Sequence, residues 1–145
     1  MIPPEHRAFV ERTLDEDLAW GPDVTTEATL PAEASGTADV VARQPGCLAG
    51  LPVAALVVET LAARQGADVT VDLVAADGDR VRPGDVVLTV SGPLRCLLTA
   101  ERTMLNLLGQ LSGVATATAA WTDALAGTQA RVRDTRKTVP GLRVL

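Results

Sequence analysis

The chain has 145 residues, of which 47% are hydrophobic and 21% are charged, which suits one folded domain and argues against disorder. Its formal net charge of −5 argues against a nucleic-acid partner, and because no apolar run approaches the roughly 20 residues that cross a bilayer, we expect no membrane partner either. Two cysteines and a single histidine are too few for a disulfide framework or a multi-histidine metal site, and with no signal-peptide pattern at the start they predict a cytoplasmic protein.

The first part of the chain predicts a helix, then a strand, then a second helix. Apolar residues at helical spacing predict a helix over residues 5–19, which a Trp-Gly-Pro run should end. We expect an irregular connection over 23–35 and a strand over 36–43. A second helix is predicted over 51–65, with a proline near its first turn and a glycine just past its end.

The middle of the chain predicts short strands. Alternating apolar residues predict a half-buried strand over 68–75 and another strand over 86–91, separated by turns rich in aspartate, glycine and proline. Residues 94–98 fit a strand or a helix equally well. Helices mixed with short strands in this way predict an α+β fold.

A long helical pattern follows over residues 99–125 and stops at Gly127. Thr99 is a suitable N-cap, and Glu101 in the first turn would complement the helix dipole. Because the pattern is apolar over most of its circumference, we expect this helix to be buried between other elements.

The last 15 residues carry a net charge of +4, whereas the rest of the chain carries −9. A strand is predicted to begin at Ala130, and its polar end reads Asp134-Thr135-Arg136-Lys137-Thr138. In parallel α/β architectures ligands bind at that end of the strands, and arginine with lysine suits a phosphate or a polycarboxylate. The sequence therefore predicts an anion site here; the alternative is a solvated strand end with Asp134 paired to a neighbouring arginine.

Arg102 is the second candidate, since it is predicted to lie in the first turn of the long helix, where the dipole mildly disfavours a cation. One interpretation pairs it with Glu101 or another acid for structural reasons. The other presents it to an anion site, including one across a subunit boundary.

Two further features are better explained by structure than by chemistry. The acidic run Asp15-Glu16-Asp17 is expected to be a solvated helix face. Cys47 and Cys96 have no histidine nearby in sequence, and we expect both to be buried free thiols.

Several motifs occur in a fixed order along the chain. The long ones are TAERTMLNLL at 99–108, LSGVAT at 111–116 and DTRKTVPGLR at 134–143. Shorter ones precede them: Glu16-Asp17, Gly21, Asp23, Thr25, Thr26, Ala49-Gly50, Asp77-Gly78-Asp79 and Pro83-Gly84. This series resembles the quinolinate phosphoribosyltransferase family, also called carboxylating nicotinate-nucleotide pyrophosphorylase. The resemblance covers essentially the whole chain but only about the first half of a family member.

The resemblance implies a fold and a division of the chain. Residues 1–110 would form an N-terminal α/β sandwich domain with its leading helix. Residues 111–145 would form the linking helix and first strand of a C-terminal open α/β barrel that is truncated here. Because later barrel motifs would lie beyond Leu145, the isolated chain is expected to be an inactive fragment, and no catalytic residue is assigned within it.

The resemblance also implies an activity. The family transfers a phosphoribosyl group from phosphoribosyl pyrophosphate to quinolinate with Mg²⁺, giving nicotinate mononucleotide, CO₂ and pyrophosphate in de novo NAD biosynthesis. It implies that Thr135, Arg136 and Lys137 bind substrate, and that Arg102 reaches quinolinate in the neighbouring subunit of a homodimer or higher homo-oligomer. The Mg²⁺ ligands are expected outside this chain.

Two other functions remain open at the level of sequence. One is a related phosphoribosyltransferase-like protein with another ligand, which would keep an anion site but fail to bind quinolinate. The other is a non-catalytic binding module that dimerises through the long helix.

Overall fold

The computed structural model describes residues 3–145. Four helices and five strands follow one another in chain order: α1 Pro4–Asp17, α2 Val24–Thr29, β1 Ser35–Val41, β2 Gly46–Cys47, α3 Leu51–Gln65, β3 Thr70–Leu73, β4 Arg80–Val81, β5 Val86–Pro93 and α4 Leu94–Ala124.

A three-stranded antiparallel sheet has the order β1-β5-β3, and β2 pairs with β4 in a separate antiparallel ribbon. The central strand β5 is rich in β-branched and aliphatic residues, which favour a pleated, half-buried surface. Its pairing with β1 shifts register between Val40 and Val41, where a bulge interrupts the ladder.

The core lies between this sheet and a layer of helices. Helix α3 packs against α1, α4 and β3, while α4 packs against the strands β1, β2 and β5. The side chains with almost no exposed surface come from α1, α3, β5 and α4: Val10, Leu14, Leu51, Leu56, Val57, Val58, Leu61, Val87, Leu88 and Cys96. Mixed helix and strand in two packed layers confirm the predicted α+β fold.

Helix α3 has the predicted bounds of 51–65 because both of its ends carry specific signals. Pro52 lies in its first turn, and Gly66 ends it in the left-handed conformation with φ of 63°. At the other end, the Asp77 carboxylate accepts a hydrogen bond of 2.9 Å from the Leu51 amide. A side chain from a distant turn therefore caps this helix.

Two predictions about helix positions were wrong. The segment 23–35 is not entirely irregular, because it contains α2, capped by the Asp23 carboxylate, which accepts from the Thr26 amide at 3.1 Å. Helix α4 begins at Leu94 and not at Thr99, since the ambiguous residues 94–98 are its first turn. Arg102 consequently lies in the third turn of α4, beyond the reach of the dipole at the helix end.

The strand predicted from Ala130 is also absent: within the described part of the chain, residues 125–145 contain only turns and irregular backbone. A parallel strand is stable only when neighbouring strands satisfy its amide and carbonyl groups, and no strand of the described residues pairs with this segment. Its alternating pattern therefore lacks the partner that would make it a strand here.

Helix α4 is buried on one side only, whereas the prediction was burial between other elements. Its residues Ala100, Met104, Leu107 and Leu108 are buried, whereas Leu105, which points away from them, is 39% exposed. The elements described here cover one face of the helix and leave the other open to solvent.

The last residues return to the beginning of the chain. Leu142 and Leu145 are partly buried against the main core, and the His6 ring contacts the Val144 carbonyl oxygen. Among residues 3–145, no helix is both long and apolar enough to cross a membrane.

Candidate functional site

Arg102 projects from the third turn of α4 and meets the end of α1. Its Nη2 lies 2.7 Å from Oδ1 of Asp17 and donates a longer bond of 3.4 Å to the Asp17 carbonyl oxygen. The predicted pairing with an acid is therefore present, but the acid is Asp17 and not Glu101. The Arg102 side chain is still 68% exposed, so the ion pair does not bury the cation.

Asp17 was expected to be part of a solvated helix face, and this prediction was wrong. Its side chain is only 18% exposed, and its Oδ2 accepts a 3.2 Å hydrogen bond from the Thr103 hydroxyl. Asp15 fits the expectation better, since its side chain is 67% exposed while it pairs with Arg64 at 2.7 Å. Asp17 thus joins the end of α1 to two consecutive residues of α4.

A cavity of about 550 Å³ lies between the end of α1, the following turn and α4. Both signs of charge line it, together with exposed Trp20: the polar members are Thr13, Glu16, Asp17, Arg102, Thr103 and Asn106. A second cavity of about 340 Å³ adjoins it at Asp17 and Arg102. Arg102 is therefore placed at an open, polar concavity, where an anion has access to it.

Asp23 lies at the edge of the second cavity. The Thr26 hydroxyl donates to its Oδ2 at 2.6 Å and the Thr26 amide to its Oδ1. These two hydrogen bonds lower the pKa of Asp23 below the ordinary value of 3.8, and the charge of Arg102 lowers it further. Asp23 is thus an anion near Arg102, and its side chain caps the start of α2.

Thr135, Arg136 and Lys137 lie in the irregular segment after α4, and all three are exposed. Their hydrogen bonds are local: the Thr135 amide donates to Asp134 at 2.6 Å, and the Lys137 amide donates to the Thr135 hydroxyl at 3.3 Å. Neither cavity at Arg102 includes these three residues. Within one chain, the structure does not bring the two predicted groups of cations together.

The thiols differ in burial. Cys96 is buried as predicted, and burial raises the pKa of its thiol. Cys47 is only half-buried, and its Sγ lies 3.5 Å from the Gly78 carbonyl oxygen, so the expectation of burial was wrong for this residue. Both are free cysteines.

The described residues do not form a metal centre of their own. Among residues 3–145, no group of three or more histidine, cysteine, aspartate or glutamate side chains could hold an ion.

Two family models match consecutive parts of the chain. The quinolinate phosphoribosyl transferase N-terminal domain matches residues 23–112, and the C-terminal domain of the same enzyme matches residues 114–145. The chain belongs to the quinolinate phosphoribosyltransferase family. The resemblance inferred from the ordered motifs is thereby confirmed.

Individual relatives of this family agree with the models. A nicotinate-nucleotide pyrophosphorylase (carboxylating) of Mycobacterium leprae is 50% identical over 139 residues, covering 96% of this chain and 48% of the relative. Quinolinate phosphoribosyltransferase (decarboxylating) 1b of Nicotiana tabacum is 33% identical and covers 99% of this chain and 41% of the relative.

A solved structure of the same family has the same fold. The crystal structure of NadC from Streptococcus pyogenes superposes with a TM-score of 0.90 at 37% identity, covering 99% of this chain and 50% of that one. The chain spans about half the length of the curated relatives that it matches. Within that half, residues 23–112 match the N-terminal domain model and residues 114–145 match the C-terminal one.

Proposed function

We propose that this chain supplies the N-terminal half of an enzyme that transfers phosphoribosyl from phosphoribosyl pyrophosphate to quinolinate, with decarboxylation to nicotinate mononucleotide. The observation that carries this proposal is the match of two family models to consecutive parts of the chain, the first including Arg102 and the second including residues 135–137. The 50% identity to the Mycobacterium leprae pyrophosphorylase supports the same activity.

The substrates require cations at several points. Quinolinate carries two carboxylates, and phosphoribosyl pyrophosphate carries a 5′-phosphate and a pyrophosphate. As the pyrophosphate leaves, the ribose gains oxocarbenium character, and fixed charges hold the two reactants in line. In this proposal the planar fork of Arg102 binds a quinolinate carboxylate, while Thr135, Arg136 and Lys137 bind substrate at the second location.

Two copies of the chain would be needed to bring Arg102 and residues 135–137 into one substrate site. Arg102 and residues 135–137 do not line a common cavity, and both are exposed. We therefore propose a homodimer or higher homo-oligomer in which Arg102 of one subunit completes the site of its neighbour.

The family implies Mg²⁺, which would be supplied with the substrate diphosphate, whose oxygens suit it as ligands. A boundary near residue 110 is supported by the change from one family model to the other between 112 and 114. We place the reaction in the cytoplasm, which suits the two free cysteines.

The test replaces the matched half of the Mycobacterium leprae enzyme with residues 1–145 and assays nicotinate mononucleotide formation. We expect the chimaera to be active and Arg102→Ala to raise its KM for quinolinate roughly 10- to 100-fold, since a hydrogen bond to a charged group is lost. The unfolding free energy of the 145-residue chain should change by less than about 1 kcal/mol, because the Arg102 end of its ion pair with Asp17 is 68% exposed.

Arg12→Ala is the matched control, because Arg12 is an exposed arginine on α1 and should leave the KM unchanged. An inactive but folded chimaera that self-associates would favour the non-catalytic binding module. An unchanged KM in Arg102→Ala would remove Arg102 from the substrate site.

A further inference from the structure

The Asp17 carboxylate is held on both of its oxygens. Oδ1 lies 2.7 Å from Nη2 of Arg102, and Oδ2 accepts a hydrogen bond of 3.2 Å from the Thr103 hydroxyl. Thr103 is itself buried, with 3% of its surface exposed, so it provides a fixed anchor for the acid. Asp17 is also the last residue of α1, which packs on the core through α3 and α4.

Arg102 is engaged through one nitrogen only. Both of its contacts to Asp17 are made by Nη2, and within residues 3–145 neither Nε nor Nη1 has a hydrogen-bond partner. Because the side chain is 68% exposed, these donors remain accessible to an incoming anion. The guanidinium is thus anchored on one side and free on the other.

We propose that Asp17, itself held by Thr103, is a positioning residue that fixes the Arg102 guanidinium for a carboxylate of quinolinate. This inference rests on the proposed function. A long arginine side chain loses conformational freedom when it binds a ligand, and that loss weakens binding. A side chain already held in place loses less, so the anchored guanidinium binds its carboxylate more tightly.

The opposite role for Asp17 would be competition, in which its carboxylate occupies Arg102 until the substrate displaces it. The geometry argues against this, because Asp17 takes one nitrogen and leaves two without partners. The two roles predict opposite changes. Removing a competitor strengthens quinolinate binding, whereas removing an anchor weakens it.

The experiment uses the chimaera described above with Asp17→Asn, which keeps the size of the side chain and removes its charge. We expect the KM for quinolinate to rise roughly 2- to 10-fold, the loss associated with one freed side chain. The kcat and the KM for phosphoribosyl pyrophosphate should not change. Asp15→Asn is the matched control, because Asp15 lies on the same helix, pairs with Arg64 and lines neither cavity at Arg102, so it should leave all three values unchanged.

A double variant separates positioning from a structural effect. If Asp17 acts through Arg102, adding Asp17→Asn to Arg102→Ala should raise the KM no further. Thr103→Ser, which keeps the hydroxyl, should preserve the KM, while Thr103→Val should raise it as Asp17→Asn does. Thermal unfolding of each variant confirms that it is folded.

Three results would overturn the inference. They are an unchanged or lower KM in Asp17→Asn, an equal rise in the Arg102→Ala background, or a rise in kcat with the KM. If Arg102→Ala itself leaves the KM unchanged, the assignment of Arg102 fails as well. If Arg102→Ala raises the KM but Asp17→Asn does not, the proposed function stands and only the positioning role of Asp17 is lost.

Discussion

Short polar side chains set the starts of two helices. The Asp23 carboxylate accepts from both the amide and the hydroxyl of Thr26 at the start of α2, and Asp77 accepts from the first amide of α3. The two bonds from amides satisfy donors that have no partner inside their own helix. The bonds to Asp23 also lower its pKa, which makes this cap sensitive to pH.

We predict that Asp23→Ala destabilises the chain at neutral pH and matters less in acid. Because the pKa of Asp23 is lowered from 3.8 in the folded state, its stabilisation is complete above that pH and is lost as the pH falls through the lower folded value. Urea unfolding of both proteins between pH 7 and pH 2.5 measures the difference. Thr26→Val should move the pKa of Asp23 back towards its ordinary value. A stability difference that stays constant into acid would contradict this explanation.

Helices α3 and α4 pack closely because a glycine, Gly50, immediately precedes α3. Gly50 has a φ of 94°, and a Cβ built on it would lie 2.5 Å from Cδ1 of Leu111 on α4. The hydroxyls of Ser112 and Thr116 continue this contact by bonding the backbone of Ala49 and Cys47. The start of α3 and the strand before it are thereby joined to α4.

We predict that Gly50→Ala destabilises the chain more than Gly66→Ala. Both glycines have positive φ, so each alanine costs about 1–2 kcal/mol of backbone strain. A Cβ at Gly66 meets nothing within 4 Å, whereas one at Gly50 meets Leu111, which adds a further cost of about 1–3 kcal/mol. Chemical denaturation gives both free energies of unfolding. Equal losses would show that the contact with Leu111 relaxes without cost.

The whole molecule leaves an apolar surface open on α4. Leu105 is 39%, Val114 58% and Trp121 69% exposed. Leu105 also borders a cavity of about 470 Å³ between the helix and the β1–β2 segment, which Ala42, Leu108 and other residues line as well. Exposed apolar surface of this kind is typical of a face that another element or subunit covers.

We predict that the dilute 145-residue chain binds a hydrophobic dye and has tryptophan emission close to that of indole in water. Trp20 is fully exposed and Trp121 is mostly exposed, so neither side chain is shielded from solvent. In Trp20→Phe, emission from Trp121 should shift to shorter wavelength at higher protein concentration if copies associate through α4. Blue-shifted emission at the lowest concentration, without dye binding, would contradict an open surface.

The features predicted well are those with strong local signals. Helix α3 has the predicted bounds because a proline, a terminal glycine and a continuous apolar pattern agree. The six-residue helix α2 was missed because it is too short to show a period, although Asp23 is a typical cap. The start of α4 was missed because the apolar pattern of residues 94–98 fits the period of a strand as well as that of a helix. In the structure β5 ends at Pro93 and the helix begins at once with Leu94.

The residues of the candidate site also differ in how far the sequence reveals them. Arg102 and residues 135–137 were proposed as substrate-binding residues from local charge patterns and from the order of motifs along the chain, and neither source needs a folded structure. Asp17 was misjudged because its partners Arg102 and Thr103 lie more than 80 residues away in sequence. Nothing local distinguishes an acid that a distant helix will cover from one that stays in water.

The sequence by itself determined the family, the α+β class and the extent of α3. Local spacing and motif order carry that information. Only the tertiary structure decided that Asp17 holds Arg102, that α4 is covered on one face, and that the segment from Ala130 is not a strand. These properties depend on which distant groups satisfy a charge, an apolar face or a backbone amide, and that is settled when the elements pack.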